Sequence, residues 1–113
     1  MEIVLDDWIQ AGKIAGEIRE WSKTQVKPGT RVLDLAEAVE KKILDKGAML
    51  AFPVNISSNA VAAHDTAQWN DIRVLQDEIV KVDIGVACNG AIGDTACTID
   101  LSGKHHALIE AAE

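Results

Sequence analysis

The 113 residues suffice for one folded domain, because hydrophobic and charged residues make up 48% and 26% of the chain, as in ordinary globular proteins. Eighteen acidic residues against eleven basic ones leave a formal charge of -7. This charge repels nucleic-acid phosphates and anionic lipids, so we expect no nucleic-acid and no membrane partner. No apolar run approaches the roughly 20 residues of a membrane span, and the N-terminus lacks a basic segment followed by an apolar one. We therefore predict a cytoplasmic protein with a single domain, residues 1–113.

The first segment has the apolar spacing of an amphipathic helix from Trp8 to Gln25. Its apolar positions recur at intervals of three and four residues, which is typical of a helix with one buried stripe. The predicted stripe comprises Trp8, Ala11, Ile14, Ala15, Ile18 and Trp21. Asp6 or Asp7 is the predicted N-cap, because a short side chain with an oxygen can accept a hydrogen bond from the first free N–H groups.

A second amphipathic helix follows an interruption at Pro28 and Gly29. Thr30 is its predicted cap, and Gly47 marks its end. Its predicted buried face comprises Val32, Leu35, Ala36, Val39 and Ile43. The first 47 residues therefore contain two helices, each with one face for a core.

Strand patterns replace the helical period after Gly47. The segment from Ala51 to Asn59 is predicted as an extended strand that enters a loop. Apolar residues alternate from Glu78 onwards, and Asn89-Gly90 is a hairpin turn sequence, which together predict a hairpin at residues 78–101. A third helix is predicted to start near Lys104. The predicted fold is α+β, with two N-terminal helices packed on an antiparallel sheet.

Two aspartates share one face of the predicted hairpin. A two-residue turn at Asn89-Gly90 pairs positions whose numbers sum to 179, so Asp83 lies opposite Ala96 and Asp94 opposite Gly85. Asp83 and Asp94 are then diagonal neighbours, with a Cα separation of about 7 to 8 Å. The opposite face is apolar on both strands and is the predicted core.

The neighbours of the two aspartates are mostly small, which predicts a hollow around the carboxylates. Two like charges this close favour protonation of one carboxyl or binding of a divalent cation. The pattern alone leaves a second interpretation open, in which both are exposed strand residues that add solubility. Cys88 and Cys97 are too far apart in this register for a disulfide and are predicted to be packed thiols.

Four ordered motifs resemble the methionine aminopeptidases, in particular the archaeal-like type II branch. They are Ala51-Phe52-Pro53-Val54-Asn55-Ile56-Ser57, Ala62-Ala63-His64, Lys81-Val82-Asp83-Ile84-Gly85 and Gly93-Asp94-Thr95-Ala96. The similarity extends from about Trp8 to the end of the chain. It implies the pita-bread fold, of which this chain corresponds to the N-terminal half.

The resemblance also implies a reaction and a set of site residues. The family removes N-terminal methionine from peptides with a water activated by divalent metal ions, for which Co, Mn, Fe and Zn are the candidates. Asp83 and Asp94 match two metal ligands of the family, and His64 matches a histidine that contacts the substrate. Phe52, Pro53 and Asn55 match residues near the methionine pocket. From the pattern alone, an ordinary loop histidine is the favoured interpretation of His64.

Departures from the family pattern leave activity open. The remaining family ligands, one histidine and two glutamates, follow beyond the position of Glu113. Asp65, Ala67, Ala87 and Ala91 replace residues that are larger in the family. The first hypothesis is half of a metal-dependent methionine aminopeptidase, weak or inactive alone, in which the metal could be lost. The alternative is an engineered or reconstructed half-fold that forms a homodimer and serves as a scaffold with at most vestigial metal binding.

Overall fold

The computed structural model of the chain describes residues 4–113. Its elements in chain order are α1 (Leu5–Lys23), α2 (Val32–Asp45), β1 (Met49–Leu50), β2 (Asn55–Ser58), β3 (Ile79–Cys88), β4 (Ala91–Asp100) and α3 (His106–Ala112). Residues 1–3 lie outside the described residues. They belong to the N-terminal segment on which the prediction of a cytoplasmic location was based. In the part of the chain from residue 4 onwards, no helix is long and apolar enough to cross a membrane.

The sheet is antiparallel and has β3 at its centre. β1 and β2 pair with successive parts of one edge of β3, and β4 pairs with the other edge. The turn between β3 and β4 has positive φ angles at Asn89 (50°) and Gly90 (89°), as a type I′ turn requires. Asp83 lies opposite Ala96, and Gly85 lies opposite Asp94. The predicted hairpin and its register are therefore confirmed.

The core lies between one face of the sheet and the two long helices. α1 packs on β3 and β4, and α2 packs on β1 and β2. The core-facing residues of β3 are completely buried, namely Val80, Val82, Ile84 and Val86. The predicted face of α2 is also buried, with Val32, Leu35, Ala36, Val39 and Ile43. Cys88 and Cys97 are free thiols, as predicted. Because strand side chains alternate between faces, the odd-numbered residues of β3 lie on the face away from α1 and α2.

The start of α1 differs from the prediction. The helix begins at Leu5 with Val4 as its N-cap, so Asp6 and Asp7 lie in the first turn, where the helix dipole favours their charge. The buried stripe comprises Ala11, Ile14, Ala15, Ile18 and Ser22. Trp8 falls at the margin of this stripe and remains 48% exposed, so its predicted burial is wrong.

The prediction of Thr30 as the cap of α2 is also wrong. The N-cap is Arg31, and the first helical N–H, that of Val32, donates to the carbonyl of Arg73 (3.0 Å). The Thr30 hydroxyl instead closes the Pro28-Gly29 turn, because it accepts from the N–H of Lys27 (3.3 Å) and donates to the Gln25 carbonyl (3.3 Å). A distant segment therefore replaces the local cap that the sequence suggested.

Candidate functional site

The candidate site begins with a row of residues across the outer face of the sheet. Asn55 on β2 lies opposite Asp83 on β3, and Asp83 lies opposite Ala96 on β4. An isolated bridge places Thr66 on the other side of Asn55. Directly opposed residues of antiparallel strands have their side chains on the same face. The row therefore carries an amide and a carboxylate side by side, with Asp94 one diagonal step away.

Phe52 borders this row because Gly85 has no side chain. A β-carbon built on Gly85 would lie within 3 Å of three atoms of the Phe52 ring. Gly85 pairs with Asp94, so the ring lies beside the carboxylate pair. The absence of one methyl group thus allows an aromatic wall next to two charges.

His64 reaches the same region from the loop after β2. Its backbone is left-handed, with φ 65°, which is uncommon for a residue with a β-carbon. The residue after His64 is Asp65, and its carbonyl accepts a hydrogen bond from the N–H of Ile56 on β2 (2.9 Å). This hydrogen bond returns the loop to the edge of the sheet and places His64 near Asn55 and Thr66.

These residues line one cleft of about 360 Å³. Its lining residues are Phe52, Pro53, Asn55, His64, Thr66, Asp83 and Asp94. The structure therefore brings together all six residues that the sequence and the resemblance singled out. Thr66 is an addition that the sequence analysis missed. Its position two residues after His64, in a segment that returns towards β2, is the only local signal for it.

The two carboxylates interact in the cleft. Burial raises the pKa of the Asp83 carboxyl, and the negative charge of Asp94 and a hydrogen bond with it raise this pKa further. His64 acts in the opposite direction on the same carboxyl. The two carboxylates therefore repel each other when both are ionised, and a cation between them would relieve this repulsion.

The donor set fits a divalent cation as one part of a larger ligand set. Carboxylate oxygens suit hard divalent ions, and His64 adds an imidazole to the same cleft. Among residues 4–113, no group of three or more His, Cys, Asp or Glu side chains is placed to hold a metal ion. His105, the N-cap of α3, and His106, its first residue, are both exposed. Asp83 and Asp94 alone thus provide two carboxylate donors.

Comparison with protein families matches residues 7–113 to the metallopeptidase family M24. The methionine aminopeptidase of Methanocaldococcus jannaschii is 44% identical over 106 residues, which cover 93% of this chain and 36% of that protein. The methionine aminopeptidase of Pyrococcus abyssi is 44% identical over 109 residues, covering 96% of this chain and 37% of that protein. The chain thus spans little more than a third of the length of these curated relatives.

Solved structures share the fold. The methionine aminopeptidase of Rickettsia prowazekii superposes with a TM-score of 0.79 and 24% identity, covering 97% of this chain and 49% of that one. The methionine aminopeptidase of Thermotoga maritima gives a TM-score of 0.76 with 22% identity, covering 84% and 41%. The α+β architecture, as part of a pita-bread fold, is therefore confirmed. With the family match over nearly its whole length, the chain belongs to the metallopeptidase family M24 and is similar to its methionine aminopeptidases.

Proposed function

We propose that the cleft is part of the active site of a metal-dependent methionine aminopeptidase, which removes methionine from the N-terminus of peptides. The observation that carries the proposal is the pair of carboxylates, Asp83 and Asp94, in one cleft with His64. The reaction is the one that the name of the two relatives gives, and the chain covers 36% and 37% of their lengths.

Six of the seven lining residues have a task in this proposal. Asp83 and Asp94 hold the divalent metal, which, when bound, supplies an activated water and polarises the scissile carbonyl. His64 contacts the substrate near the scissile amide, where an imidazole can donate or accept a hydrogen bond. Phe52 and Pro53 form an apolar wall for the methionine side chain, and the Asn55 amide provides a polar group beside it.

A second candidate function is a self-associating scaffold, a homodimer with at most vestigial metal binding. Within residues 4–113, β4 pairs with no strand other than β3, and α3 contacts it, so part of its other edge lacks a strand partner. The first turns of α1 expose the apolar side chains of Leu5 (71%) and Ile9 (59%) as well as Trp8. We propose that the 113 residues fold as one domain and pair through such surfaces, because an isologous dimer is the simplest closed assembly. The cytoplasmic location stays a prediction.

Metal titration by calorimetry tests the first proposal, with Mn²⁺ as the probe and the molar mass measured by light scattering. We expect stoichiometric binding to the wild-type chain and its loss in Asp83→Ala and in Asp94→Ala. Asp45→Ala is the matched control, because it removes one carboxylate from an exposed ion pair on α2. Equal binding by all four proteins would contradict the assignment of the two ligands.

Hydrolysis of a peptide that begins with methionine separates the two functions. The metalloprotease proposal expects Mn²⁺-dependent release of methionine by the wild-type chain that exceeds the release by the Asp83→Ala, Asp94→Ala double variant. It also expects a strong decrease in His64→Ala with metal binding retained. A dimeric mass without any metal-dependent release would favour the scaffold. A monomeric mass at micromolar concentration would contradict the homodimer.

A further inference from the structure

The backbone of His64 adopts a conformation that is uncommon for residues other than glycine. Its φ of 65° lies in the left-handed region, where the β-carbon crowds the backbone carbonyl. A conformation of this kind persists only where the surroundings determine it, and such residues cluster at functional sites. The contacts of the residues next to His64 therefore determine how its side chain is positioned.

Asp65, the next residue, is fixed at both its backbone and its side chain. Its carbonyl accepts the N–H of Ile56 on β2 (2.9 Å). Its carboxylate accepts two hydrogen bonds from Arg73, from Nη1 (2.7 Å) and from Nη2 (3.0 Å). A two-pronged arginine–carboxylate contact fixes orientation as well as distance. The residue that directly follows His64 in the chain is thereby held in place.

Arg73 is itself anchored to the body of the protein. Its Nη2 and Nε donate to the carboxylate of Asp71 (2.7 to 3.2 Å), whose side chain is only 4% exposed. The Arg73 carbonyl accepts the first N–H of α2, that of Val32. Arg73 therefore links the His64 loop to a buried carboxylate through its guanidinium and to the start of α2 through its backbone carbonyl.

We propose that Arg73, acting through Asp65, is a positioning residue that fixes the orientation of His64 in the cleft. The task of the positioned imidazole rests on the proposed function, whereas the positioning itself rests on the contacts alone. Positioning of His64 can be distinguished from a general role in stability, because the contact of Arg73 with Asp65 can be removed without removing its contact with Asp71. Asp65→Asn removes the ion pair between residue 65 and Arg73 and leaves the ion pair between Arg73 and the buried Asp71 intact. Arg73 itself therefore stays anchored in this variant.

Backbone order of His64 is the direct test, measured by ¹⁵N relaxation on the labelled chain. In the wild type we expect the His64 amide to have an order parameter near 0.85, the value of rigid backbone, and in Asp65→Asn and Arg73→Gln a value below about 0.6. The amides of the β3–β4 turn, Asn89 and Gly90, serve as the internal reference. Asp45→Asn is the matched control, since it removes a carboxylate that accepts a hydrogen bond from Lys41 (2.8 Å) on the exposed face of α2.

A kinetic readout separates positioning from folding. Where the Mn²⁺-loaded wild type releases methionine, we expect Asp65→Asn to lower kcat by about 10- to 100-fold with KM little changed, as for a misplaced contact group. A rigid His64 amide in folded Asp65→Asn and Arg73→Gln would overturn the positioning role. Loss of order in both variants, together with a wild type that releases no methionine, would uphold the positioning and reject the proposed function. If Arg73→Gln unfolds, Asp65→Asn alone decides the outcome.

Discussion

The ring of Phe52 lies over the backbone of Gly85, in the space that a side chain at Gly85 would need. Both residues border the carboxylate pair, because Phe52 lines the cleft and Gly85 is the cross-strand partner of Asp94. The ring is the end of a flexible, half-buried side chain and can move where backbone cannot. The shape of the cleft therefore depends on a glycine in the middle of β3.

Gly85→Ala should displace the Phe52 ring and alter the cleft more than the fold. We expect the free energy of unfolding to fall by about 1 kcal/mol, at the low end of the cost of overpacking, because the ring can rotate away. In a Phe52→Ala background the same substitution should cost close to nothing. Urea unfolding of the four proteins gives the coupling energy, and equal costs in both backgrounds would show that the ring and the glycine are independent.

Asp94→Asn should change stability and metal binding in opposite directions. Burial and the charge of Asp94 raise the pKa of Asp83, so the ionised pair destabilises the folded chain when no cation is bound. Removing one charge should raise the free energy of unfolding at pH 7 by about 0.5 kcal/mol, in the range of cross-strand charge pairs. The same variant should lose Mn²⁺ binding. Chemical denaturation in the presence of a chelator checks the first effect, and a fall in stability would contradict the repulsion.

The carboxylate pair was predictable from the sequence because its determinants are local. The Asn89-Gly90 turn fixes the register of the hairpin, and the alternation of strand residues fixes the face, so the positions of Asp83 and Asp94 follow. The core face of α2 was predictable for the same reason, since a helical period depends only on spacing. His64 entered the site through the resemblance, because nothing local shows where a loop returns.

The contacts that sequence reasoning missed are made between segments distant in the chain. The helix start at Val32 depends on a carbonyl 41 positions later, at Arg73. The Asp65–Arg73–Asp71 contacts form across a loop whose path no periodicity describes. Charges in a polar loop are usually solvated, so the sequence gives no reason to pair these three.

Two glycines on opposite sides of one contact should respond in opposite ways to alanine. A β-carbon on Gly93 of β4 would lie within 3 Å of backbone atoms of Ala11 and Gly12 in α1, and backbone cannot rotate away. Gly93→Ala should therefore lower the free energy of unfolding by about 1 to 3 kcal/mol. A β-carbon on Gly12 meets nothing within 4 Å among the described residues, so Gly12→Ala should raise stability by about 0.5 to 1 kcal/mol through helix propensity.

Thermal or urea unfolding of the two glycine variants, measured side by side, checks this pair. Because both substitutions add the same methyl group, a difference in sign reports the close approach of α1 to β4 and not a general effect of alanine. If Gly93→Ala is as stable as Gly12→Ala, then α1 can move away from Gly93 without a cost in free energy.

Asp71 should make the stability of the chain sensitive to acid. Its hydrogen bonds with Arg73 hold the pKa of the buried carboxyl far below its usual range, and the N–H groups of Gln68 and Arg73 act in the same direction. A depressed pKa in the folded state contributes stability that is present above the unfolded value of about 4 and is lost as the pH falls below it. We expect Asp71→Asn to lower the free energy of unfolding by about 2 kcal/mol at pH 7, since it removes charge-assisted hydrogen bonds.

The difference between Asp71→Asn and the wild type should shrink as the pH falls below about 4, because the unfolded wild type then binds a proton at Asp71 that the folded chain, with its depressed pKa, takes up only at lower pH. Urea unfolding at pH 7, 4 and 3 measures this convergence. Asp45→Asn is the control at pH 7, where loss of an exposed i,i+4 pair should cost less than about 0.5 kcal/mol. A difference at pH 3 as large as that at pH 7 would contradict the depressed pKa and show that the charge of the Asp71 carboxylate does not stabilise the fold.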